Sequence, residues 1–593
     1  MKFRKGFAKF VKSKDKMIYQ RRRSLRKKLP TKSKNQNIWV GDSETWRHAN
    51  NPAFWYFRNL ENTKDKFYDI KDKEKLLVWL FRGERKVVYF HNLDFDLATL
   101  FDVRTISHGN KLVVGSKLIQ FKYGSTTFKD SMCLLVNSVS KIGDGLKLPK
   151  GETPQKFIDG DSSNGYNDLD VEYCKRDVEI VRVALNLIYE EFKLLVNDKN
   201  VSLPLTAASM AYQIYSSKFW PFEYDTIYMQ METFESALNS YYGGRVQNFA
   251  ESGKFYENVN VYDINSLYPS VMVNNNYPNP KKMWKCENPS VELLDAYIRE
   301  SKCVWGKFIL KTENGLLFLP NKNDEGRRDY TSKEFDGYLC GPELIFALSN
   351  GWEIIEILEL YAACPIKPFD GYVNYFYNKR LECQKTENPK EFYYKILLNS
   401  LYGKFGQRDI CKRIENPERV KILMDSKDWE EKYEIKYYSP TVWYLQEKNA
   451  SLKSKNTWAG WSAFATSYAR VQLAESIRDN KNVLYCDTDS IHVSLKPNET
   501  NLIMGNNLGE WKLEAKDIPL AQYWEPKVYR FCHKNKTNIK VKHKGCNLST
   551  GDLKQLQYSR QLVKYRSALR RESLEMGEFI MVEKRSKKYY RGP

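Results

Sequence analysis

Long apolar runs are missing from this sequence. No stretch approaches the roughly 18 consecutive apolar residues that a membrane-spanning helix requires, and no apolar secretory segment follows the N-terminus. The eleven cysteines include no C-x-x-C pair, which excludes a zinc ribbon, and their odd number argues against a disulfide framework. We therefore expect a protein of a reducing compartment with no membrane partner.

Apolar residues are nevertheless plentiful enough for several packed cores. They make up 42% of the 593 residues, and the 14% aromatic content argues against disorder. At about 150 residues per domain, the length predicts about four domains. Strand patterns alternate with helix patterns, which favours a multidomain fold of α/β and α+β type.

Positive charge is concentrated at the N-terminus. The whole chain has a net charge of +22, and residues 1–36 hold fifteen Lys and Arg against one acid, Asp15. Such a tail indicates a polyanionic partner, most often nucleic acid, although a solubilising tail or an organellar transit peptide has a similar composition. We expect a disordered basic extension over residues 1–36, with ordered structure beginning near Asn37.

Acidic residues before residue 180 are spaced as ligands for two metal ions. Asp42 and Glu44 stand two apart on a predicted strand, so both side chains leave on one face. Asp96 follows a second strand, and Tyr173 and Asp177 stand four apart on a predicted helix. Oxygen ligands suit Mg²⁺, and two such ions activate water in phosphodiester hydrolysis. Each short motif alone is more often a solvated turn, but together they favour a nuclease site in which Tyr173 orients the attacking water.

A second set of carboxylates lies further along the chain. Asp263 ends the strand VNVYD and precedes INSLYPS, and Asp487 and Asp489 lie in LYCDTDSIHV, which predicts a hairpin with its acids at the turn. Nucleotidyl transfer requires carboxylates of this kind, because they hold two Mg²⁺ ions. A lone D-T-D is more often a solvated turn, whereas D-x-x-S-L-Y-P is much harder to explain by charge alone.

Between these acids, KILLNSLYGKFG predicts a helix with a mixed stripe. Lys395, Asn399 and Tyr402 occupy one face. A core or a solvated face is the plain alternative, but Lys and Asn beside Tyr make a poor core. They suit a nucleotide platform, in which Lys395 meets phosphate and Tyr402 stacks on the incoming base pair.

In order and spacing these motifs resemble those of family B DNA polymerases. D-x-E, N-x-x-F-D and Y-x-x-x-D are similar to the three exonuclease motifs. D-x-x-S-L-Y-P, K-x-x-x-N-S-L-Y-G, Y-C-D-T-D-S and K-x-Y are similar to the polymerase motifs. The resemblance implies an RNase H-like 3′→5′ exonuclease domain followed by a right-hand polymerase with palm, fingers and thumb.

The resemblance also implies roles for individual residues. Metal binding, with two Mg²⁺ per active site and Mn²⁺ as a substitute, falls to Asp42, Glu44, Asp96, Asp177, Asp263, Asp489 and the carbonyl of Ile264. Further catalytic positions are Tyr173, Asp487 in a supporting role, and Lys150. Contacts to the dNTP fall to Tyr268, which would exclude a 2′-hydroxyl, to Lys395, Asn399 and Tyr402, and to Lys379 or Arg380 as the triphosphate cation. DNA contacts fall to Thr45, Asn92, Phe95, Ser131, Tyr241, Gly243, Gly244, Lys527 and Tyr529.

Segment lengths are similar to those of the protein-primed branch of phages and linear plasmids. The Y-x-G-G segment Tyr241–Gly244 predicts a tight linker whose glycines permit positive φ. The expected domains are 1–36 (extension), 37–205 (exonuclease), 206–270 (linker and first palm part), 271–365 (insertion for terminal-protein and DNA docking), 366–406 (fingers), 407–455 (second insertion, for processivity and strand displacement), 456–548 (second palm part) and 549–593 (a partly helical thumb).

The leading hypothesis is a DNA-directed DNA polymerase with proofreading that replicates a linear viral or plasmid genome. It would start from a terminal protein, act as a monomer on primer–template DNA and dNTPs, and work in the cytoplasm of a bacterial host, or in an organelle. The alternatives are a family B polymerase that extends ordinary nucleic-acid primers, and a catalytically retired DNA-binding factor. A free-standing nuclease does not explain residues 240–530.

Overall fold

The computed structural model describes most of the chain. The described residues are 22–32, 37–62, 64–322, 328–407, 413–414, 417–438, 443–447, 457–495, 499–543, 557–570 and 574–584. Within these ranges, no helix is both long and apolar enough to cross a membrane.

The N-terminal third is built around a seven-stranded mixed sheet. Its elements, with those that flank it, are β1 (Arg22–Arg26), β2 (Asn37–Thr45), β3 (Pro52–Asn59), β4 (Asp65–Asp69), a 3-10 turn (Ile70–Asp72), α1 (Lys73–Phe81), β5 (Lys86–Phe90), α2 (Leu93–Leu100), α3 (Val103–His108), β6 (Asn110–Val114), β7 (Lys117–Tyr123), β8 (Thr126–Asp130), α4 (Met132–Leu135), α5 (Val139–Gly145), α6 (Gln155–Asp159), α7 (Asp168–Val196) and α8 (Ala207–Lys218). The strand order is β4-β3-β2-β5-β8-β7-β6, with β2–β5 and β5–β8 parallel.

Helices cover both faces of this sheet. Ile38 and Val40 of β2 pack in one core with α7, whereas Trp39 between them packs in a second core with α1 and α2. A strand that is buried on both faces reads as a continuous apolar run, which is the pattern of IWV here. Helix α7 therefore crosses the sheet next to β2, and this contact brings their acidic residues together.

The N-terminal extension is folded where it is described, and the prediction of disorder was wrong there. Strand β1 pairs antiparallel with β9 (Thr226–Gln230). Leu25 of β1 is completely buried in the main core, and the Tyr212 hydroxyl donates to the Arg26 carbonyl at 2.7 Å. This pairing joins residues about 200 apart, so local composition carried no sign of it. Residues 1–21 and 33–36 lie outside the described residues.

The next segment begins the palm and contains the first insertion. Its elements are α9 (Met231–Asn239), β10 (Val246–Asn248), β11 (Phe255–Ile264), α10 (Leu267–Asn274), β12 (Tyr277–Lys285), α11 (Val291–Arg299), β13 (Cys303–Lys311), β14 (Asn321–Lys322), β15 (Arg328–Asp329), β16 (Glu334–Cys340), α12 (Gly341–Leu348) and β17 (Glu353–Ile366). An antiparallel sheet, β12-β17-β13-β16, lies at the centre of the insertion and has its own apolar core with α11 and α12. This arrangement supports a folded unit between the two parts of the palm.

Two antiparallel helices and a small sheet follow. The elements are α13 (Asp370–Lys385), α14 (Glu391–Ser400), α15 (Tyr402–Phe405), β18 (Arg413–Ile414), α16 (Pro417–Met424), α17 (Trp429–Lys432), β19 (Tyr433–Tyr438) and β20 (Trp443–Glu447). Helix α14 covers the first part of the helix predicted for KILLNSLYGKFG and ends at Ser400, and Tyr402 begins the separate short helix α15.

The palm sheet closes around the remaining strands. Its later elements are α18 (Ala459–Asp479), β21 (Val483–Asp487), β22 (Ser490–Val493), β23 (Trp511–Glu525), β24 (Val528–Cys532) and β25 (Asn538–His543). The order β10-β21-β22-β11-β23-β24-β25 is antiparallel throughout. The sheet places the end of β11 beside the predicted β21–β22 hairpin, which the structure confirms.

The C-terminal segment packs on the N-terminal sheet. It contains β26 (Gln557–Leu562), α19 (Tyr565–Arg570) and β27 (Phe579–Lys584), with β26 and β27 paired. Tyr565 is completely buried in the core that α1 and α2 form, and its backbone N–H donates to Asp94 at 3.1 Å. The described part is thus a hairpin with one short helix between its strands, in agreement with the partly helical end that the sequence predicts.

Candidate active sites

The first acidic cluster lies where β2 meets α7. Asp42 and Glu44 leave β2 on one face, as predicted, and the Ser43 hydroxyl between them donates to Asp96 at 2.8 Å. Ligand atoms of Asp42, Glu44 and Cys174 of α7 lie within 4.8 Å of one another. The structure therefore brings β2, α2 and α7 together at one small site.

Negative charge in this cluster is poorly neutralised. Burial, with repulsion from Asp177, raises the pKa of Asp42 to about 7. Burial and neighbouring carboxylates also raise the pKa values of Glu44 and Asp96 well above their ordinary range. The buried Oδ1 of Asp177 accepts no hydrogen bond from any described residue. Crowded carboxylates with an unused buried oxygen fit a site for divalent cations.

Lys150 closes one side of the cluster. Its ammonium group forms an ion pair with Asp177 and lies 4.7 Å from the centre of the Tyr173 ring. The Tyr173 hydroxyl lies 2.9 Å from Thr153 Oγ1, next to the same site. Burial acts to lower the pKa of Lys150, but Asp177 outweighs it, and the pKa lies above its ordinary value. The lysine is therefore held as a cation beside the carboxylates.

The four residues expected to contact single-stranded DNA differ in their exposure. Asn92 takes a left-handed conformation (φ 85°) before α2, and its N–H donates to Asp130 at 3.1 Å. Phe95 is half-buried, with its ring 5.9 Å from Phe579 of the C-terminal hairpin, and Thr45 is nearly buried. Ser131 is completely buried, and its hydroxyl donates to the Phe90 carbonyl at 3.0 Å. This burial does not support the expected direct contact of Ser131 with DNA.

The second acidic cluster lies at the centre of the palm sheet. Asp263 is the next-to-last residue of β11, and the N–H of the last residue, Ile264, donates to the Asp489 carbonyl at 2.7 Å. Burial, then repulsion from Asp263, raises the pKa of Asp489 to about 6. Lys512 of β23, directly opposite Asp263 in the ladder, places its ammonium group 3.1 Å from Asp263 Oδ2. The two aspartates thus converge, and Lys512 partly neutralises them.

Lys527 and Tyr529 flank the same hairpin. The Lys527 ammonium group donates to both carboxylate oxygens of Asp487, at 3.0 and 3.1 Å. Tyr529 is nearly buried among the aromatic rings of Tyr485 and Tyr523. The K-x-Y segment is therefore held against the β21–β22 hairpin by the Lys527–Asp487 ion pair and by the packing of the Tyr529 ring.

Aromatic and basic side chains face the palm carboxylates from α10 and the helical pair. The rings of Tyr268 and Tyr402 are stacked, with centres 3.8 Å apart and planes at 14°. Arg380 of α13 donates to Ser266 at 3.1 Å, beside the end of β11, and is held by Glu391. By contrast, the solvent-facing Lys379 pairs with its own helix neighbour Glu382 at 3.0 Å. The geometry favours Arg380 over Lys379 as the triphosphate cation.

The rest of the predicted stripe on α14 is open. Lys395 and Asn399 are both exposed, one turn apart. Within the described residues, Lys395 has no acidic partner or hydrogen-bond acceptor for its side chain. Both side chains are thus available to a ligand.

The Y-x-G-G linker is held by a buried ion pair. Arg470 of α18 and Glu343 of α12 are 2% and 0% exposed and form two hydrogen bonds, at 2.7 and 2.5 Å. Arg470 also donates to the carbonyls of Tyr242 and Gly243 at 2.8 and 3.0 Å. A Cβ on Gly244 would lie 2.7 Å from Thr488. The linker is thus tied to both the insertion and the β21–β22 turn.

The linker glycines do not use the positive φ that glycine permits. Neither Gly243 nor Gly244 takes a positive φ. The close approach of Thr488 explains why glycine is required at position 244, since any side chain there would collide with Thr488. A Cβ on Gly406 would lie only 2.5 Å from the Tyr241 ring. The linker therefore also packs closely against the end of α15.

Several residues near the two clusters carried no signal in the sequence. Lys512 lies opposite Asp263 only because of the strand register, and Arg470 and Glu343 are separated by 127 positions. Cys174 is the exception: it lies three residues before Asp177 on α7, so the helix period places it on the same face as Asp177, and the structure brings it next to Asp42.

Comparison with known proteins supports the pattern of these sites. The family model of DNA polymerase type B, organellar and viral, matches residues 164–496, more than half of the chain. The DNA-directed DNA polymerase of Enterobacteria phage PRD1 is 25% identical over 521 residues, covering 85% of this chain and 83% of that protein. The DNA polymerase of Streptococcus phage Cp-1 is 26% identical over 469 residues, covering 75% of this chain and 76% of that protein. A probable DNA polymerase of Podospora anserina is 25% identical, and the match covers only 37% of its length.

Solved structures show the same fold. Phi29 DNA polymerase complexed with primer-template DNA superposes with a TM-score of 0.65 and 17% identity, covering 93% of this chain and 99% of that chain. The expected multidomain α/β and α+β fold is thereby confirmed. The resemblance to family B that the sequence motifs carry is confirmed by the family model. The chain belongs to the organellar and viral type B DNA polymerases, and it is a DNA-directed DNA polymerase.

Proposed function

We propose that this polymerase has a second catalytic centre, a 3′→5′ exonuclease that proofreads its own product. The observation that carries the proposal is the cluster of Asp42, Glu44, Asp96 and Asp177, gathered from β2, α2 and α7 with raised pKa values. Asp42 and Glu44 belong to β2 of the N-terminal sheet, whereas Asp263 belongs to β11 of the other seven-stranded sheet. Two separate acidic centres fit one that joins nucleotides and one that removes them.

Mg²⁺ is the proposed cofactor at both centres. The carboxylates of each centre are hard oxygen ligands, and Asp177 Oδ1 is a buried oxygen with no other described partner. Two bound ions would promote ionisation of the attacking oxygen and stabilise the leaving one. Lys150 and Tyr173 would then position the water that attacks the 3′ terminal phosphodiester.

The dNTP would lie between α10, α13 and α14. Arg380 contacts Ser266 beside the end of β11 and Lys395 is exposed on α14, which supports a role for both in binding the triphosphate. Tyr268, stacked on Tyr402, would lie beneath the sugar and exclude a 2′-hydroxyl. Lys527 would hold the primer terminus from its position on the hairpin. The DNA would reach this centre past the Y-x-G-G linker.

We further propose that synthesis starts on a terminal protein. The first insertion supports this, because it has its own sheet and core and is tied to the palm by the Arg470–Glu343 pair. The segment at 407–455 would act in processivity and strand displacement. Extension of ordinary nucleic-acid primers is the second candidate. Replication of a linear genome in the host cytoplasm by a monomer completes the proposal.

Formation of a protein–nucleotide adduct tests terminal-protein priming. The polymerase is incubated with labelled dNTP, Mg²⁺ and the product of a neighbouring reading frame that bears an accessible Tyr, Ser or Thr. A labelled adduct that depends on Asp263 and Asp489 is expected. Extension of an annealed oligonucleotide without any adduct would favour the second candidate.

A further inference from the structure

Two lysines for which the described residues supply no acidic partner lie beside the polymerase centre, one of them from the N-terminal extension. Lys28 follows β1, and Lys404 lies on α15, two residues after Tyr402. Tyr212 of α8 connects them: its hydroxyl donates to the Arg26 carbonyl at 2.7 Å, and its ring packs 5.3 Å from that of Phe405. The extension and the end of the nucleotide platform therefore meet over one tyrosine.

The fold holds Lys28 in place through its backbone and its side chain. Its N–H donates to Ser216 of α8 at 3.1 Å, and its ammonium group lies 3.4 Å from Ser209 Oγ. The Lys404 ammonium group donates to Gln407 Oε1. Neither ammonium group has an acidic residue within ion-pair distance among the described residues. By contrast, the neighbouring Lys27 pairs with Asp225 at 3.6 Å.

The electrostatics of the pair are unfavourable as the chain stands alone. Burial, and then repulsion from Lys28, lowers the pKa of Lys404 to about 8, and burial lowers the pKa of Lys28. Two half-buried cations that repel each other cost free energy unless an anion lies between them. Among the described residues, the groups that contact the two ammonium groups are a hydroxyl and an amide, which carry no negative charge, and an anionic ligand would supply it.

We propose that Lys28 and Lys404 together bind a phosphate of the DNA backbone next to the position where the incoming nucleotide is added. This inference rests on the proposed function, since it makes the extension part of the DNA-binding surface. A phosphodiester carries one negative charge and two free oxygens, which suits two ammonium donors. The position of Lys404 just beyond Tyr402 places the phosphate beside the nucleotide platform. The extension thus contributes a specific contact and not only bulk charge.

Equilibrium binding to primed duplex DNA tests the proposal. Fluorescence anisotropy is measured without divalent cations, over a range of salt, for wild type, Lys28→Gln, Lys404→Gln, the double variant and Lys28→Arg. Lys27→Gln is the matched control. It removes the same charge from the neighbouring residue, and Lys27 already has an acidic partner, Asp225. Thermal unfolding of each variant confirms that it is folded.

Each single glutamine variant should weaken binding roughly three- to tenfold, and the double variant should lose less than the product of the two, because both lysines hold one phosphate. The double variant should flatten the slope of log affinity against log salt by about 0.7 to 0.9, the value for one lost contact. Lys28→Arg should bind as wild type, and Lys27→Gln should change affinity less than twofold.

Equal losses in Lys27→Gln and Lys28→Gln would overturn the proposal, because only net charge would then matter. Unchanged DNA affinity with a raised KM for dNTP would assign the phosphate to the nucleotide and would also overturn it. Primer extension and 3′ degradation by wild type are measured in parallel. A wild type that binds DNA through these lysines but lacks an activity would sink the proposed function and leave this site standing.

Discussion

The ammonium group of Lys527 lies 3.0 and 3.1 Å from the two carboxylate oxygens of Asp487. The two side chains are 40% and 24% exposed, so the pair contributes no more than about 1 kcal/mol to folding stability. Its consequence is positional, since Asp487 sits at the β21–β22 turn two residues before Asp489. We propose that Asp487 supports the palm centre in this way, by orienting the lysine that would hold the primer terminus.

A double-mutant cycle tests this role. Asp487→Asn and Lys527→Gln should each weaken primer–template binding, and the double variant should be little worse than either, with a coupling of about 0.5 kcal/mol or more. The Mg²⁺ concentration that gives half-maximal extension should stay near that of wild type in Asp487→Asn. Additive effects with a shifted Mg²⁺ requirement would instead make Asp487 an independent metal ligand.

Sugar selection should depend on the ring of Tyr268. Tyr268→Val removes the ring stacked on Tyr402 and should raise incorporation of rNTP relative to dNTP about tenfold or more, which corresponds to roughly 1.4 kcal/mol of lost discrimination. Tyr268→Phe keeps the ring and serves as the control, with discrimination close to wild type. Competition assays with matched rNTP and dNTP pairs measure both. An active valine variant that still rejects ribonucleotides would remove Tyr268 from this role.

Docking of the N-terminal extension should contribute to stability through Leu25. This side chain is completely buried, so Leu25→Ala should lower the free energy of unfolding by about 2–5 kcal/mol. Leu29 of the same segment is 60% exposed, so Leu29→Ala should change the free energy of unfolding by less than about 0.5 kcal/mol. Denaturant unfolding of both variants compares them. Equal, small effects would show that β1 does not pack on the body in solution.

The stability of the metal-free protein should fall as pH rises through the pKa of Asp42 in the first acidic cluster. Burial raises the folded-state pKa of Asp42 to about 7, against about 3.9 in an unfolded chain, so the folded state binds more protons between these values. This contribution is fully present below about pH 4 and is lost as pH rises through about 7. Mg²⁺ should oppose the loss, because it favours the ionised carboxylate.

Thermal unfolding in EDTA and in Mg²⁺, at about pH 5 and about pH 7.5, measures this effect. Asp42→Asn, which cannot ionise, is the matched control and should show a smaller fall of Tm with pH in EDTA. The difference between wild type and this variant should shrink in Mg²⁺. A wild type and a variant with the same pH dependence in EDTA would contradict the raised pKa.

Sequence alone placed the motif carboxylates well, because each lies at the end of a strand or on a helix with a clear period. The hairpin of β21 and β22 followed from a local pattern for the same reason. Contacts set by strand register or by distant pairing were out of reach. Lys512 opposite Asp263, and β1 on β9, depend on which strands become neighbours, and the basic residues around Leu25 concealed its role as a buried anchor.

The separability of the two centres is the most direct test of the account. Asp42→Ala with Glu44→Ala should abolish degradation of single-stranded 3′ ends and leave primer extension, whereas Asp263→Ala or Asp489→Ala should abolish extension and leave degradation. Both activities are measured on the same folded preparations with labelled oligonucleotides and Mg²⁺. Loss of each activity alone is the predicted result, and loss of both in a folded variant of one centre would contradict two independent active sites.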